Sequence, residues 1–437
     1  MFVLNKNTEL SVELLNKMIN EFTTKVQPKL NKYKAYFDGA QAILQKSYAD
    51  ESKPCNKTVI NYCRNIVCSY AGYLSTPGYI SYSSANDIDE LMNILRYNDY
   101  QNEDNRFLQD ALIYGVAAEL MFTDSNSQVR FRLIDPRNCF GVYDDSLTND
   151  LLYFVRMYKE NEWNNSDIYL VDVYTDNEIR HYRMSGENGS ATLVGAEPHY
   201  FGQCPANIFM LPDEKSIFDC IMSLQDSVNE LVSAEIDEFS QFADAYLWFE
   251  GAEMDVDEMK AMREARGFML PPGAKVGYLT KSINDTQIEN ILKRLQDGIY
   301  KIAQCPDFSA ESFTGGVSSG IAIEYKLCGM ENKAGSIEAE MKKALQRRVE
   351  VICGVATLKY GEEIFRDIKI DFKRNIPEDL SATIDMIGKL KGSVSDATLL
   401  AQLPFVEDVN AELEAVQAQK LQNMELYSFA PKTEDEE

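Results

Sequence analysis

The sequence predicts an α+β chain, mainly α, and three observations lead there. Apolar residues recur at three- and four-residue spacing over long stretches, the signature of amphipathic helices. Between Ala117 and Phe209 the period changes to two, with turn clusters separating the alternating runs, which suggests antiparallel hairpins. Apolar residues at 45% and aromatics at 11% place the chain in the globular class and exclude global disorder. With 437 residues it has room for several domains or for one elongated, multi-part subunit.

The first helix is predicted from Thr8 to Phe37, with Leu14, Leu15, Met18, Phe22, Val26, Leu30, Tyr33 and Phe37 on one side and Asp38-Gly39 as its break. Lys53-Pro54 starts another unit. Val59 to Tyr73 reads as a buried helix through Ile60, Cys63, Ile66, Val67 and Tyr70, and Ile88–Leu95 and Asn102–Tyr114 read as two more. Within the period-two block, Val129–Leu133, Tyr169–Tyr174 and Ile179–Arg183 alternate as strands.

Ser216 to Phe249 is predicted as one long helix, about 50 Å at ~1.5 Å per residue. Ile217, Ile221, Leu224, Val228 and Leu231 step along it as a seam that wants a neighbouring helix. No basic residue lies between Lys215 and Lys260; Asp219, Asp226, Glu230, Glu235, Asp237, Glu238, Asp244 and Glu250 supply the charge of this helix. Two readings stand for this run, a solvated face or the lining of an aqueous channel. A compact insert follows from Gly251 to Asn284, with a small helix at Val256–Arg266, short strands near Phe268–Leu270 and Val276–Leu279, and a Pro271-Pro272-Gly273 turn.

Ile288, Ile291, Leu292, Leu295, Ile299 and Ile302 predict a second helix that Pro306 stops. Asp307–Val317 has no periodicity. Ser318-Ser319-Gly320 then opens a long helix running to near Tyr360. Its Lys326, Lys333, Lys342, Lys343, Arg347 and Arg348 interleave with glutamates and are expected mostly as surface pairs, individually worth little. Ile368–Phe372 reads as a strand, and helices follow at Leu380–Lys391, Asp396–Leu403 and Val406–Tyr427, the middle one capped at Ser395-Asp396. Pro431–Glu437 is an acidic tail, expected to be disordered.

The net charge of −26 is the opposite of the basic footprint that sequence-independent nucleic-acid binders carry. An acidic chain still suits DNA if its task is to let the duplex slide without sticking. Nine scattered cysteines without a Cys-x-x-Cys point to a reducing compartment, with neither a disulfide framework nor a zinc ribbon. No signal peptide and no membrane span is expected. His181 and His199 are the only histidines and have no nucleophile context, which disfavours triad and histidine-metal chemistry. Asp144-Asp145-Ser146-Leu147-Thr148-Asn149-Asp150 offers oxygen ligands for calcium but lacks EF-hand spacing, so a solvated turn is favoured. Gly315-Gly316-Val317-Ser318-Ser319-Gly320 precedes a helix but lacks the Gly-Lys-Ser/Thr of a nucleotide loop. It reads as a flexible loop tolerant of a passing DNA backbone, or as an ordinary interhelix connection. No catalytic residue, metal site or cofactor is predicted. An intracellular enzyme with a carboxylate site and an intracellular α+β interaction or scaffold protein without catalysis remain as alternatives.

Four separated stretches carry a resemblance. They are Tyr36-Phe37-Asp38-Gly39 with Asn56-Lys57, Asn61-Tyr62, Gly72-Tyr73-Leu74 and Pro77; Asp135-Pro136-Arg137-Asn138-Cys139-Phe140 with Val142-Tyr143-Asp144-Asp145; Phe201-Gly202 and Pro205 with Gln241–Leu247; and Ile299–Asp307 with Phe313, Gly315 and Ser319-Gly320-Ile321-Ala322. Together they resemble the portal proteins of long-tailed bacteriophages. Cys55, where asparagine is expected, and Leu224–Asn229 depart from the family's wording. The resemblance implies an elongated subunit, not an enzyme, with a wing (1–215), a stem helix (216–250), a clip (251–286), a second stem helix (287–304) and a tunnel loop (305–317). The wing's long helix and strand (318–376), a helical crown (377–430) and the acidic tail (431–437) complete it.

It further implies a homo-dodecameric ring at one capsid vertex of the virion, assembled in the host cytoplasm. The ring would conduct double-stranded DNA during packaging and ejection, and dock terminase and head–tail adaptor proteins beside the major capsid and scaffolding proteins. On this reading Phe308, Ser309, Glu311, Ser312, Phe313, Thr314, Gly315 and Gly316 form the DNA-facing tunnel loop. Glu230, Glu235, Asp237, Glu238 and Asp244 are the acids of the channel wall. Met259, Arg263, Arg266, Lys275 and Tyr278 form the clip's partner surface.

Overall fold

In a computed structural model of the chain, helix accounts for 50% and strand for 22%, the mainly helical α+β composition that the periodicities predict. The structure describes the chain outside residues 1, 7, 51–52, 77, 79, 162–166, 188, 244–246, 252–254, 256, 258–259, 261–271, 279–284, 309–319, 361–366, 375–379, 401–402, 404–405, 407–408 and 429–437. Two compact units emerge, one of residues 1–311 with 326–375, the other of 312–325 with 376–437.

The first helical stretch is α1 (Val12–Glu21) and α2 (Gln27–Asp38), joined by a π-turn at Phe22–Val26. Pro28 supplies the cause. It has no N–H to offer the preceding turn, and its ring crowds the carbonyl four residues back. Ser11 caps α1 by accepting the Leu14 N–H at 3.3 Å. The helices α3 (Tyr62–Leu74), α4 (Asp89–Tyr97) and α5 (Tyr100–Tyr114) follow near their expected places. Gly115 closes α5 at φ +82°, and a Cβ there would lie 2.6 Å from the Lys215 backbone. Only glycine lets the chain leave α5 so close to the backbone at Lys215.

The period-two block forms two sheets. In the six-stranded one the order is β1 (Phe2–Leu4), β5 (Cys139–Asp144), β6 (Leu151–Lys159), β7 (Ile168–Tyr174), β8 (Glu178–Ser185) and β9 (Thr192–Pro198). All neighbours are antiparallel except β1–β5. Leu15, Met18, Ile19 and Phe22 cover this sheet's inner face at Phe140, Val142, Val155, Val171 and Val173. The second sheet orders β10 (Ala206–Met210), β3 (Val116–Thr123) and β4 (Val129–Ile134). Two small pairs complete the set, β2 (Ile80–Ser83) with β13 (Lys369–Phe372), and β11 (Leu247–Glu250) with β12 (Lys275–Tyr278).

That last pair corrects the sequence reading. The expected helix from Ser216 to Phe249 is a 3-10 turn at Asp219–Ile221 followed by α6 (Met222–Ala243), about 33 Å long at ~1.5 Å per residue. Leu247-Trp248-Phe249-Glu250 instead pairs with Lys275–Tyr278, since an aromatic run gains more on a pleated edge than in an exposed helix end. The indole of Trp248 lies over Gly277, where a Cβ would come within 3.0 Å of Nε1. The small helix expected at 256–266 and the strand at 268–270 fall largely outside the described residues.

The return helix α7 (Asp285–Ala303) leads towards α8 (Gly320–Tyr360), whose 41 residues span about 60 Å. Met330, Ala334, Ile337, Met341, Leu345, Val349 and Ile352 make its middle a core element. Arg348 departs from the expected surface pairing, since its side chain is 0% exposed. Its Nε and Nη2 donate to Glu119 at 2.8 Å, and Nη1 donates to Asp104. The guanidinium lies 4.4 Å from the centroid of Phe131. Burial pushes the Asp104 carboxyl up to about 6, against the pull of Arg348. One side chain thereby ties α8 to α5 and β3.

The second unit holds α9 (Leu380–Leu390), α10 (Asp396–Leu400) and α11 (Val409–Ser428). Ser395 accepts the Thr398 N–H at 3.4 Å, the cap that the sequence announced. The tail at 431–437 lies outside the described residues.

Candidate functional site

The site expected from the sequence is the hairpin of α6, β11–β12 and α7, with the segment that follows α7. Leu224 faces the return helix, where a Cβ on Gly298 of α7 would meet its Cδ1 at 3.7 Å, and Val228 one turn on is buried. The seam read in the sequence is therefore used, and it leaves two polar stripes on the remaining surface of α6.

The outer stripe carries Glu230, which is exposed, and Glu238, which is partly buried; Glu235 lies between them in sequence and is also partly buried. Glu230 and Glu235 form no ion pair among the described residues. Asp244 lies outside the described residues.

The inner stripe is Gln225, Asn229, Ser233 and Asp237, spaced by four and all buried. It faces the extended segment that precedes α3. The Asn56 N–H donates to Asp237 Oδ1 at 2.6 Å, and the Thr58 N–H to Ser233 Oγ at 2.9 Å. The Ile60 N–H donates to Asn229 Oδ1 and the Tyr62 N–H to Gln225 Oε1, both at 2.9 Å. Gln225 Nε2 donates back to the Ile60 carbonyl at 2.6 Å. Every second amide of the segment is thus bonded to every fourth residue of the helix. Two strand residues advance ~6.6 Å and four helical residues ~6.0 Å, so the two repeats nearly match. The amides of Lys57, Val59 and Asn61 make no hydrogen bond among the described residues.

Asp237 is a correction to the expected channel wall. The residue is 6% exposed and its carboxylate faces inward, where Lys46 Nζ reaches Oδ2 at 2.9 Å and Asn56 Nδ2 reaches Oδ1 at 2.8 Å. Burial works against its charge, but the Asn56 amide and the Lys46 ammonium more than offset it and hold the carboxyl at about 2. A charge this committed to its own subunit is not offered to solvent. Towards the N-terminus, Tyr33 donates to Asp219 of the 3-10 turn at 2.6 Å and Tyr36 to Asp226 of α6 at 2.8 Å. Sequence reasoning missed Gln225, Asn229 and Ser233; their signal was a run of polar residues at four-residue spacing beside the apolar seam.

The root of the expected loop is held firmly. Gln304 ends α7 in the left-handed region at φ +56°. The Tyr70 hydroxyl bridges the carbonyls of Ala303 and Gln304 at 3.1 and 3.0 Å. Tyr62 meets Tyr300 edge-on, with centroids 5.8 Å apart. Gln296 donates to Asp307 at 3.3 Å. Phe308 follows, 47% exposed. Ser309, Glu311, Ser312, Phe313, Thr314, Gly315 and Gly316 lie outside the described residues. At the hairpin tip Lys275 is exposed and pairs with Glu250 at 3.3 Å, and Tyr278 ends β12 opposite Leu247. Met259, Arg263 and Arg266 lie outside the described residues.

Among the described residues no group of acids, cysteines and histidines could hold a metal ion, and no helix is long and apolar enough to cross a membrane.

Comparison with known proteins agrees with the resemblance carried by the motifs. The family described as "Phage portal protein, SPP1 Gp6-like" matches residues 15–426. The chain is 22% identical over 420 residues to the portal protein of Bacillus phage SPP1, covering 90% of this chain and 81% of that one. It is 21% identical over 314 residues to the portal protein of Clostridium phage phiCD119, covering 68% of each. The family's pattern runs through both units, and the chain belongs to the SPP1 Gp6-like family of phage portal proteins, structural proteins of DNA packaging and head–tail connection.

Proposed function

We propose that twelve copies of this chain form a ring at one capsid vertex, through which double-stranded DNA enters during packaging and leaves during ejection. The ring docks terminase and later the head–tail adaptor, and it meets the major capsid and scaffolding proteins. The observation that carries this reading is the family match across residues 15–426.

On this reading α6 and α7 are stem helices. The outward Glu230 and Glu238, together with Glu235 and Asp244, form a wall that repels phosphate and keeps the duplex from adhering. The segment from Phe308 to Gly316 supplies sparse contacts to DNA, and the firmly held root at Tyr70 and Gln304 supports that role. The tip, with Met259, Arg263, Arg266, Lys275 and Tyr278, is the surface for terminase and adaptor.

The purified chain is expected to give a ring by light scattering and negative-stain imaging, with a hole about as wide as a duplex. A chain that is monomeric in solution and absent from rings in virions would favour a non-catalytic interaction protein. With Glu230 and Glu238 both changed to lysine, rings of normal size should package DNA about ten-fold or more slowly, through phosphate adhesion. Wild-type packaging rates in that variant would overturn the channel-wall assignment.

A further inference from the structure

We infer that the inner stripe of α6 is a register lock, and that Asp237 is its selecting rung. The four acceptors Asp237, Ser233, Asn229 and Gln225 take the amides of Asn56, Thr58, Ile60 and Tyr62 in strict succession. The helix stands in for the partner strand that this extended segment lacks, so the pairing has a register in the sense that a sheet does. Neutral rungs alone would tolerate a slip of one step, since Ser233 and Asn229 could each serve a neighbouring amide. The charged rung removes that freedom. Lys46 reaches Asp237 at 2.9 Å with its side chain 15% exposed, and Tyr48 adds its hydroxyl at 3.2 Å. A one-step slip would set a neutral acceptor before Lys46 and strand a buried carboxylate, which is costly in both places. A single buried polar pair specifying register is an established use of such groups.

The consequence concerns function, and this part rests on the channel reading. Up to Asp237, α6 is a fixed part of the body that carries α2 and α3, so the lock sets the height at which the outward acids stand. Displacement of the hairpin as DNA passes is confined to the chain beyond Asp237, towards β11. Asp237 and Ser233 are therefore positioning residues for the acidic wall, not members of it.

The test is amide-resolved hydrogen exchange on the assembled full-length chain. The amides of residues 56, 58, 60 and 62 should exchange about ten-fold or more slowly than those of 57, 59 and 61. Ser233→Ala should release the Thr58 amide by a similar factor, and Ser233→Thr, which keeps the hydroxyl, should restore it. Uniform exchange across 56–62, or a Thr58 amide indifferent to Ser233→Ala, overturns the lock whatever becomes of the channel. Asp237→Asn should leave ring size unchanged and slow DNA packaging. Wild-type packaging by that variant overturns the positioning role alone. Alternating protection in a chain that never forms rings overturns the channel reading and the positioning role with it, and supports the lock.

Discussion

α6 and the middle of α8 are anchored in opposite ways. α8 is tied by one fully buried guanidinium that satisfies two carboxylates at once. α6 is tied by four side chains, three of them neutral, spread over thirteen residues and bonded to the backbone of an extended segment. The difference follows from where each helix lies. The middle of α8 runs through the core, where any polar contact is desolvated and must be complete. α6 lies along the margin of the core, where its partner segment keeps part of its surface in water. A concentrated anchor in a dry site fails all at once, because removing one member leaves uncompensated charge. A distributed anchor of neutral bonds fails by degrees, each rung worth about 1 kcal/mol.

Three experiments bear on that contrast. The largest effect is expected for Arg348→Met, which strands Asp104 and Glu119 and should cost about 3–5 kcal/mol in urea denaturation. Adding Asp104→Asn and Glu119→Gln should recover a good part of the loss, since the buried charges then disappear together. A loss no larger than that of a single rung would break the contrast.

A smaller effect separates the anchors by pH. The Asp237 carboxyl is depressed to about 2, so its contribution is fully present above the ~3.9 of an unfolded aspartate and is lost as pH falls through 2. Asp237→Asn should therefore flatten the stability profile between about pH 4 and 2. An acid slope unchanged by the substitution would show that the Asn56 and Lys46 bonds to the carboxylate contribute nothing. The smallest effect is expected for Ser233→Ala, about 1 kcal/mol, because the freed Thr58 amide keeps partial access to water. A cost of several kcal/mol would mean that the ladder fails as a unit and resembles the α8 anchor after all.

Much of this fold is legible locally. α3, α7, β7 and β8 lie within a few residues of where their periods place them, because burial of one face suffices to form them. Where two local signals compete, the reading fails. Leu247–Glu250 continues the helical spacing of α6, yet its aromatic residues find β12 beyond an intervening insert and leave the helix. β1 and β2 gave too short a signal, and their partners β5 and β13 are remote in sequence, although β13 itself lies where the strand at Ile368–Phe372 is expected. The candidate site shows the same limit in its chemistry. Asp237 and Glu230 look alike in a stretch without basic residues; the four-residue spacing that Asp237 shares with Gln225, Asn229 and Ser233 puts it on one stripe of the helix but does not say what faces that stripe. Asn56, the partner that decides the matter, is 181 residues away.

The sequence by itself determined the mixed, mainly helical class, the order of most elements and, through motifs at four places, the portal family. Those are properties of local period and of residues at set offsets, which survive without knowledge of any contact. Only the tertiary structure decided which charges are used inside the subunit and which are left outside. Spacing alone does not mark Arg348 among surface lysines or Asp237 among solvated acids as buried and paired, because desolvation and pairing depend on what the fold brings opposite each side chain.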